Sequence, residues 1–219
     1  SVVILDSRIE ENGSLLGETA ATLGAALDRP FTARIERSVF ARNLGGGLET
    51  ISGIVAEVID THIVDNGRTG LLNVARLTMT GGSISGNSSG LFNGTTALLD
   101  GVNISENGLT GDAISGLVPG GGISNSGKLT IQGSSLNGNR ANFGGGAILN
   151  SEGGILRVLN STLSDNQAVG GSDGTGSPGF TRSGGGAIFN RSGDVEVVNS
   201  TLSRNTASVR GGAIASYRG

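Results

Sequence analysis

One pattern recurs eight times along the chain and restricts its fold more than any other feature. An apolar residue stands three places before an Asn at Ile9/Asn12, Phe40/Asn43, Ile63/Asn66, Ile84/Asn87, Ile104/Asn107, Leu136/Asn139, Leu163/Asn166 and Leu202/Asn205. These Asn residues are 31, 23, 21, 20, 32, 27 and 39 residues apart. Eight places before each stand Ile4, Ile35, Val58, Met79, Leu99, Ile131, Val158 and Val197; ten places before stand Val2, Ala33, Ala56, Leu77, Ala97, Leu129, Leu156 and Val195. All sixteen are apolar, and a spacing of two is the period of a strand with one buried face. Five places before the Asn, the residue is small or hydroxylic in seven of the eight copies: Ser7, Ser38, Thr61, Gly82, Ser134, Ser161 and Ser200, with Val102 in the other.

After the Asn comes a Gly-rich turn, an apolar pair and often a second Asn, at Asn73, Asn93, Asn125, Asn150 and Asn190. Two or three short strands in a minimum repeat of 20 to 23 residues describe one coil of a solenoid. No coil buries its apolar face alone, so each must pair in parallel with its neighbours at about 4.8 Å per coil. The prediction is an all-β, single-stranded, right-handed parallel β-helix of eight coils, about 38 Å long. Composition removes the rivals. Glycine supplies 41 residues, but three prolines and no Gly-X-Y period exclude collagen, and 36% hydrophobic residues argue against disorder.

The recurrent residues have assignable jobs. Asn at a corner is expected to adopt the left-handed conformation and to bond its counterparts in adjacent coils. Gly before Ala-Ile is expected to supply a positive φ. Outward positions should form charge ladders: Arg34 beside Glu57, Arg157 beside Glu196, and the series Glu11, Arg42, Asp65, Gly86, Glu106, Gly138, Asp165, Arg204 immediately before each Asn.

Spacings above the minimum locate insertions near 13–30, 108–120 and 167–184 in what otherwise reads as one domain over 1–219. The first is rich in Ala and Leu and predicts a short surface helix. The other two follow the corner Asn and should leave the rod on one edge, two coils apart. Leu117, Val118, Asp173, Phe180 and Arg182 are their candidate partner-binding residues. The chain opens in a strand and stops inside a new coil. It therefore reads as a segment of a longer chain, its open coil ends covered by that chain's continuation or by other subunits.

The Gly-Gly-Ala-Ile stretches (Gly145–Ile148, Gly185–Ile188, Gly211–Ile214), together with Phe40-Ala41-Arg42-Asn43, resemble the paired GGAI and FxxN repeats of polymorphic outer-membrane proteins. More broadly the chain is similar to the parallel β-helix repeats of bacterial surface and secreted proteins. One of the eight motifs has the family's Phe, and the others have Ile or Leu. The resemblance implies an extracellular or cell-surface passenger-like module, structural or adhesive, with surface glycans among its partners.

The alternative is a polysaccharide-binding or polysaccharide-modifying enzyme, such as a lyase, hydrolase or epimerase. Such a site needs clustered carboxylates with an Arg or Lys. The best local cluster is Asp6, Arg37 and Asp60 on three successive coils, with Glu57 and Asp65 nearby, and a stacked charge ladder produces the same alternation. No residue is assigned a catalytic, cofactor or metal role. His62, the one histidine, is expected to face outward. Gly86–Gly90 matches G-x-S-x-G but falls on a corner rather than a strand–turn–helix elbow. Gly170–Gly176 lacks the Lys-Ser/Thr of a phosphate loop, and Ca²⁺ at Asp173 would have no supporting ligand pattern. A Thr-x-Thr array of the ice-binding kind is limited to Thr78 and Thr80. A net charge of −3 with no basic tract argues against nucleic acid, and no apolar run is long enough to span a membrane. Lys128 is the one lysine and reads as codon usage.

Overall fold

The computed structural model describes residues 1–12, 19–23, 31–108, 120–142, 144–169 and 184–217. Where the sequence places apolar residues ten and eight places before each Asn, strands form and stack in parallel. The first sheet runs in coil order through Val2–Leu5, Phe31–Glu36, Ile54–Ile59, Arg76–Thr80, Thr96–Asp100, Lys128–Gln132, Ile155–Leu159 and Asp194–Val198. The three residues around the apolar member of each apolar-x-x-Asn motif form the second sheet, from Arg8–Glu10 to Thr201–Ser203. The Gly-rich turn and its apolar pair lead into the third, from Ala21–Leu23 to Ile214–Tyr217. All three have eight strands. A short fourth sheet joins Arg140–Ala141, Gln167–Ala168 and Thr206–Ala207. The protein is a right-handed parallel β-helix of eight coils.

Register follows the repeat: Ala33 faces Ala56, Ala56 faces Leu77, and Ile63 faces Ile84. These apolar residues point inward and form one continuous core from Leu23 to Ile188, most of it fully buried. Each large side chain removed from water contributes about 1.5–3 kcal/mol. The end coils have a neighbour on one side, and accordingly Val2 and Ile214 are exposed while Val195 and Val197 are half-buried.

Three local expectations are corrected. The corner Asn does not take the left-handed conformation; the residue before it does, at Glu11, Arg42, Asp65, Glu106, Asp165 and Arg204. A second left-handed column lies six places before the Asn: Asp6, Arg37, Asp60, Gly81, Gly101, Gly133, Asn160 and Asn199. Two left-handed residues per coil let the chain turn from the first sheet into the second and out of it again. The Asn is left with ordinary backbone angles and an inward-pointing amide. The Gly before Ala-Ile is not a positive-φ position either. At Gly146 a Cβ would collide with the carbonyl oxygen of Gly186, and at Gly186 with that of Gly212, so close packing of successive turns is what requires Gly there. Finally, within the Ala/Leu-rich insertion Ala21–Leu23 is a strand paired with Leu48–Thr50, because the third sheet of the first coil needs it; propensity yields to tertiary pairing. Likewise Gln167–Ala168, expected to open the last insertion, belongs to the fourth sheet.

Candidate functional site

The buried amides govern what the surface can present. Each corner Asn donates from Nδ2 to Oδ1 of its successor, at 2.8–3.1 Å through the seven steps from Asn12 to Asn205. The same Oδ1 accepts the backbone N–H of the preceding coil's Asn, as in Asn87 N to Asn107 Oδ1 at 3.1 Å. From Asn43 onward Nδ2 also reaches back to the carbonyl of the apolar residue one coil earlier, for example Asn107 to Ile84 O at 2.8 Å. That geometry explains why Asn must follow the apolar residue at three places: the amide of one coil closes the strand of the coil before it. A second ladder follows the third sheet, Thr50–Asn73–Asn93–Asn125–Asn150–Asn190–Ser216. A third, interrupted at Gly82 and Val102, links backbone N–H groups to the hydroxyls of Ser38, Thr61, Ser134, Ser161 and Ser200. Among the described residues no buried side-chain N or O lacks a partner.

Outside, the left-handed columns carry the candidate charges. Arg37 grips Asp6 with Nε to Oδ1 at 2.7 Å and Nη2 to Oδ2 at 3.0 Å, and also contacts Glu36. The guanidinium holds the Asp6 carboxyl below the usual carboxylate range, first through its hydrogen bond. Arg37 is raised in turn, first by Asp6, with a smaller electrostatic contribution from Asp60. The structure therefore brings Asp6 and Arg37 together and leaves Asp60 without a hydrogen bond to either. In the column immediately before the Asn, Arg42 binds Glu10 and Glu11, and Arg204 binds Asp165 at 2.7 Å through both Nε and Nη2. Arg34–Glu57 and Arg157–Glu196 pair as their positions predict. A carboxylate lowered by a bidentate arginine is a poor proton acceptor at neutral pH, where a general base needs the opposite shift.

His62 faces solvent, 2.9 Å from Ser83 Oγ, and Ser88 of the G-x-S-x-G match donates to Gly67 O. Among the described residues no three of His, Asp and Glu converge as they would around a metal ion, and no helix is long and apolar enough to cross a membrane. Leu117, Val118, Asp173, Phe180 and Arg182 lie outside the described residues. Their anchors do not: Gly108 directly follows Asn107, and Val169 follows the fourth-sheet strand Gln167–Ala168 after Asn166. The amides of Asn107 and Asn166 both bond Asn139, so these anchors lie beside one corner column, two coils apart.

The sequence reading missed a groove where the third sheet turns into the first. It encloses about 440 Å³ and is lined by Ser52, Gly53, Ile54, Val74, Ala75, Arg76, Thr95, Thr96 and Lys128. Two residues separate Asn73 from Arg76, Asn93 from Thr96, and Asn125 from Lys128, whereas four separate Thr50 from Val55 and Asn150 from Ile155. The three middle turns are therefore short, and a longer turn borders them on either side. Asn73 Nδ2 bonds Thr96 O at 3.3 Å and Asn93 Nδ2 bonds Lys128 O at 3.4 Å, so the second amide ladder fixes the strand starts that carry these side chains.

No protein-family model matches this chain, and no curated protein matches it. Among solved structures it is similar to one described as the crystal structure of pectate lyase Pel9A, at 17% identity and a TM-score of 0.44. The match covers 85% of this chain and 51% of the other, so the chain spans about half the length of the protein it matches.

Proposed function

We propose that this β-helix is a non-catalytic structural or adhesive module working outside the cell or at its surface, a rod that presents binding elements along one edge. The observation that carries the reading is the use of its charges. Asp6, the best-placed carboxylate for acid–base work, is held by Arg37 with its pKa lowered, and Glu57, Glu196 and Asp165 are likewise occupied by arginines. These groups bind one coil to the next instead of converging on a substrate. The GGAI and FxxN-like repeats support the surface placement, and the position of Gly108 and Val169 beside one corner column supports partner binding by the segments that follow them.

A glycan array and a cell-adhesion assay, run beside a polyuronate degradation assay, test this. Binding without product formation is expected. Replacing residues 109–119 and 170–183 by Gly-Ser linkers should reduce adhesion while leaving thermal unfolding unchanged. Turnover of polyuronate that Asp6→Asn abolishes would overturn the reading.

A further inference from the structure

The first sheet's outer face is not uniform along the rod. In the second and third coils Arg34 is tied to Glu36 and Glu57, and in the last two Arg157 is tied to Glu196. Between them the face has Arg76, Thr96 and Lys128 at the strand starts, Thr78, Leu98 and Thr130 in the middle and Asp100 on the far side, with no ion pair among the described residues at either cation. Glu57, the acid on the strand beside Arg76, is engaged by Arg34. Arg76, Thr96 and Lys128 occupy one register column. Two strand spacings therefore place the backbones of the cations about 10 Å apart along the rod axis, with a threonine between them.

We propose that this groove binds a linear acidic polysaccharide laid along the rod axis, with anionic groups on Arg76 and Lys128 and sugar hydroxyls on Ser52 and Thr96. Three features select that ligand. The cations are uncompensated and stand on strands whose starts the amide ladder fixes, so little backbone freedom is lost on binding. The short turns form a floor bordered by the longer turns at 51–54 and 151–154, with the half-buried Val74 to meet the C–H face of a sugar ring. Two cations on a chain of net charge −3, with no aromatic side chain lining the groove, are too few for the dense phosphates and stacking bases of a nucleic acid. The site deepens the reading as a binding module and rests on it, but uses neither insertion.

The test is titration of the intact chain with an oligouronate, with dextran sulfate and with neutral dextran at low salt. Binding of either anionic probe, absent for dextran and weakening as salt rises, is expected; the stronger of the two identifies carboxylate or sulfate as the natural group. Arg76→Ala and Lys128→Ala should each weaken binding about threefold to tenfold, and Arg157→Ala, whose guanidinium is already paired, should leave it unchanged. Equal losses for all three variants would mean diffuse charge attraction, and unchanged binding in the Arg76/Lys128 double variant would place the ligand elsewhere. Tighter binding of a single-stranded oligonucleotide would replace the polysaccharide altogether. Any of these three results overturns the site. Loss of adhesion in the linker variants with oligouronate binding intact would leave the groove standing, whereas turnover of the oligouronate would sink the non-catalytic reading alone.

Discussion

Inside and outside, this rod stacks one polar side chain per coil, and the two kinds of column behave as opposites. The corner column is Asn in all eight coils, buried from Asn43 to Asn166, and no buried amide atom in it lacks a partner. The exposed left-handed column immediately before it runs Glu11, Arg42, Asp65, Gly86, Glu106, Gly138, Asp165, Arg204, with ion pairs at Glu11–Arg42 and Asp165–Arg204. The difference is one of solvent. A buried amide with a missing neighbour has nothing to replace it, whereas an exposed guanidinium falls back on water. Identity is therefore fixed inside and free to vary outside, and any individual function has to be carried by the outer columns, the turns and the insertions.

The comparison breaks most severely at the inner column. Asn107→Ala would leave the backbone N–H of Asn87 without its acceptor and Ile84 O without the amide it accepts. A loss of about 2–5 kcal/mol in urea-unfolding stability is expected; a loss below about 1 kcal/mol would mean water enters the corner. Next comes Gly186→Ala, whose Cβ would strike Gly212 O and the backbone N of Thr206. It should cost about 3 kcal/mol, read by the same unfolding curve. Gly101→Ala sharpens the contrast from outside. The position has a φ of +65° but no atom within 4 Å of an added Cβ, so the expected cost is left-handed strain alone, about 1 kcal/mol.

The smallest effect belongs to the exposed pair. Arg204 lowers the pKa of Asp165, so the contribution of the pair is present above the unfolded carboxyl value of about 4 and is lost as pH falls through the lower folded value. Asp165→Asn should flatten the dependence of the urea midpoint on pH in that acidic window and shift it only slightly at neutral pH. A neutral-pH loss as large as that of Asn107→Ala would make the outer column structural after all.

Much of this was legible because periodicity repeats its own evidence. Eight copies of apolar-x-x-Asn give the coil count, the parallel register and the inward faces, and the pairs Arg34–Glu57 and Arg157–Glu196 follow from position alone. Backbone conformation was less legible. Asn and Gly tolerate positive φ and hold several of these positions, yet in six of the eight coils the residue before the corner Asn is Asp, Glu or Arg, because the corner needs an inward amide more than it needs an easy turn. The strand at Ala21–Leu23 was hidden by helix-favouring composition. The groove was hidden for a different reason: it depends on which cations have no partner, which only the register of neighbouring coils decides. Its trace in the sequence is turn length, two residues after Asn73, Asn93 and Asn125 against four after Thr50 and Asn150.

The amide columns have one more consequence. In parallel sheets the N–H and C=O groups point both ways along the rod and their dipoles largely cancel. The amide-to-amide bonds do not alternate: from Asn12 to Asn166, and from Asn73 to Asn150, each Nδ2 donates one N–H to the Oδ1 of the next coil, and every Oδ1 so engaged faces the coil before it. Aligned amides polarise one another, so both columns add along the same direction. The rod thus has an electrical head and tail independent of its net charge, and a further coil can extend the relay at either end only in the same sense.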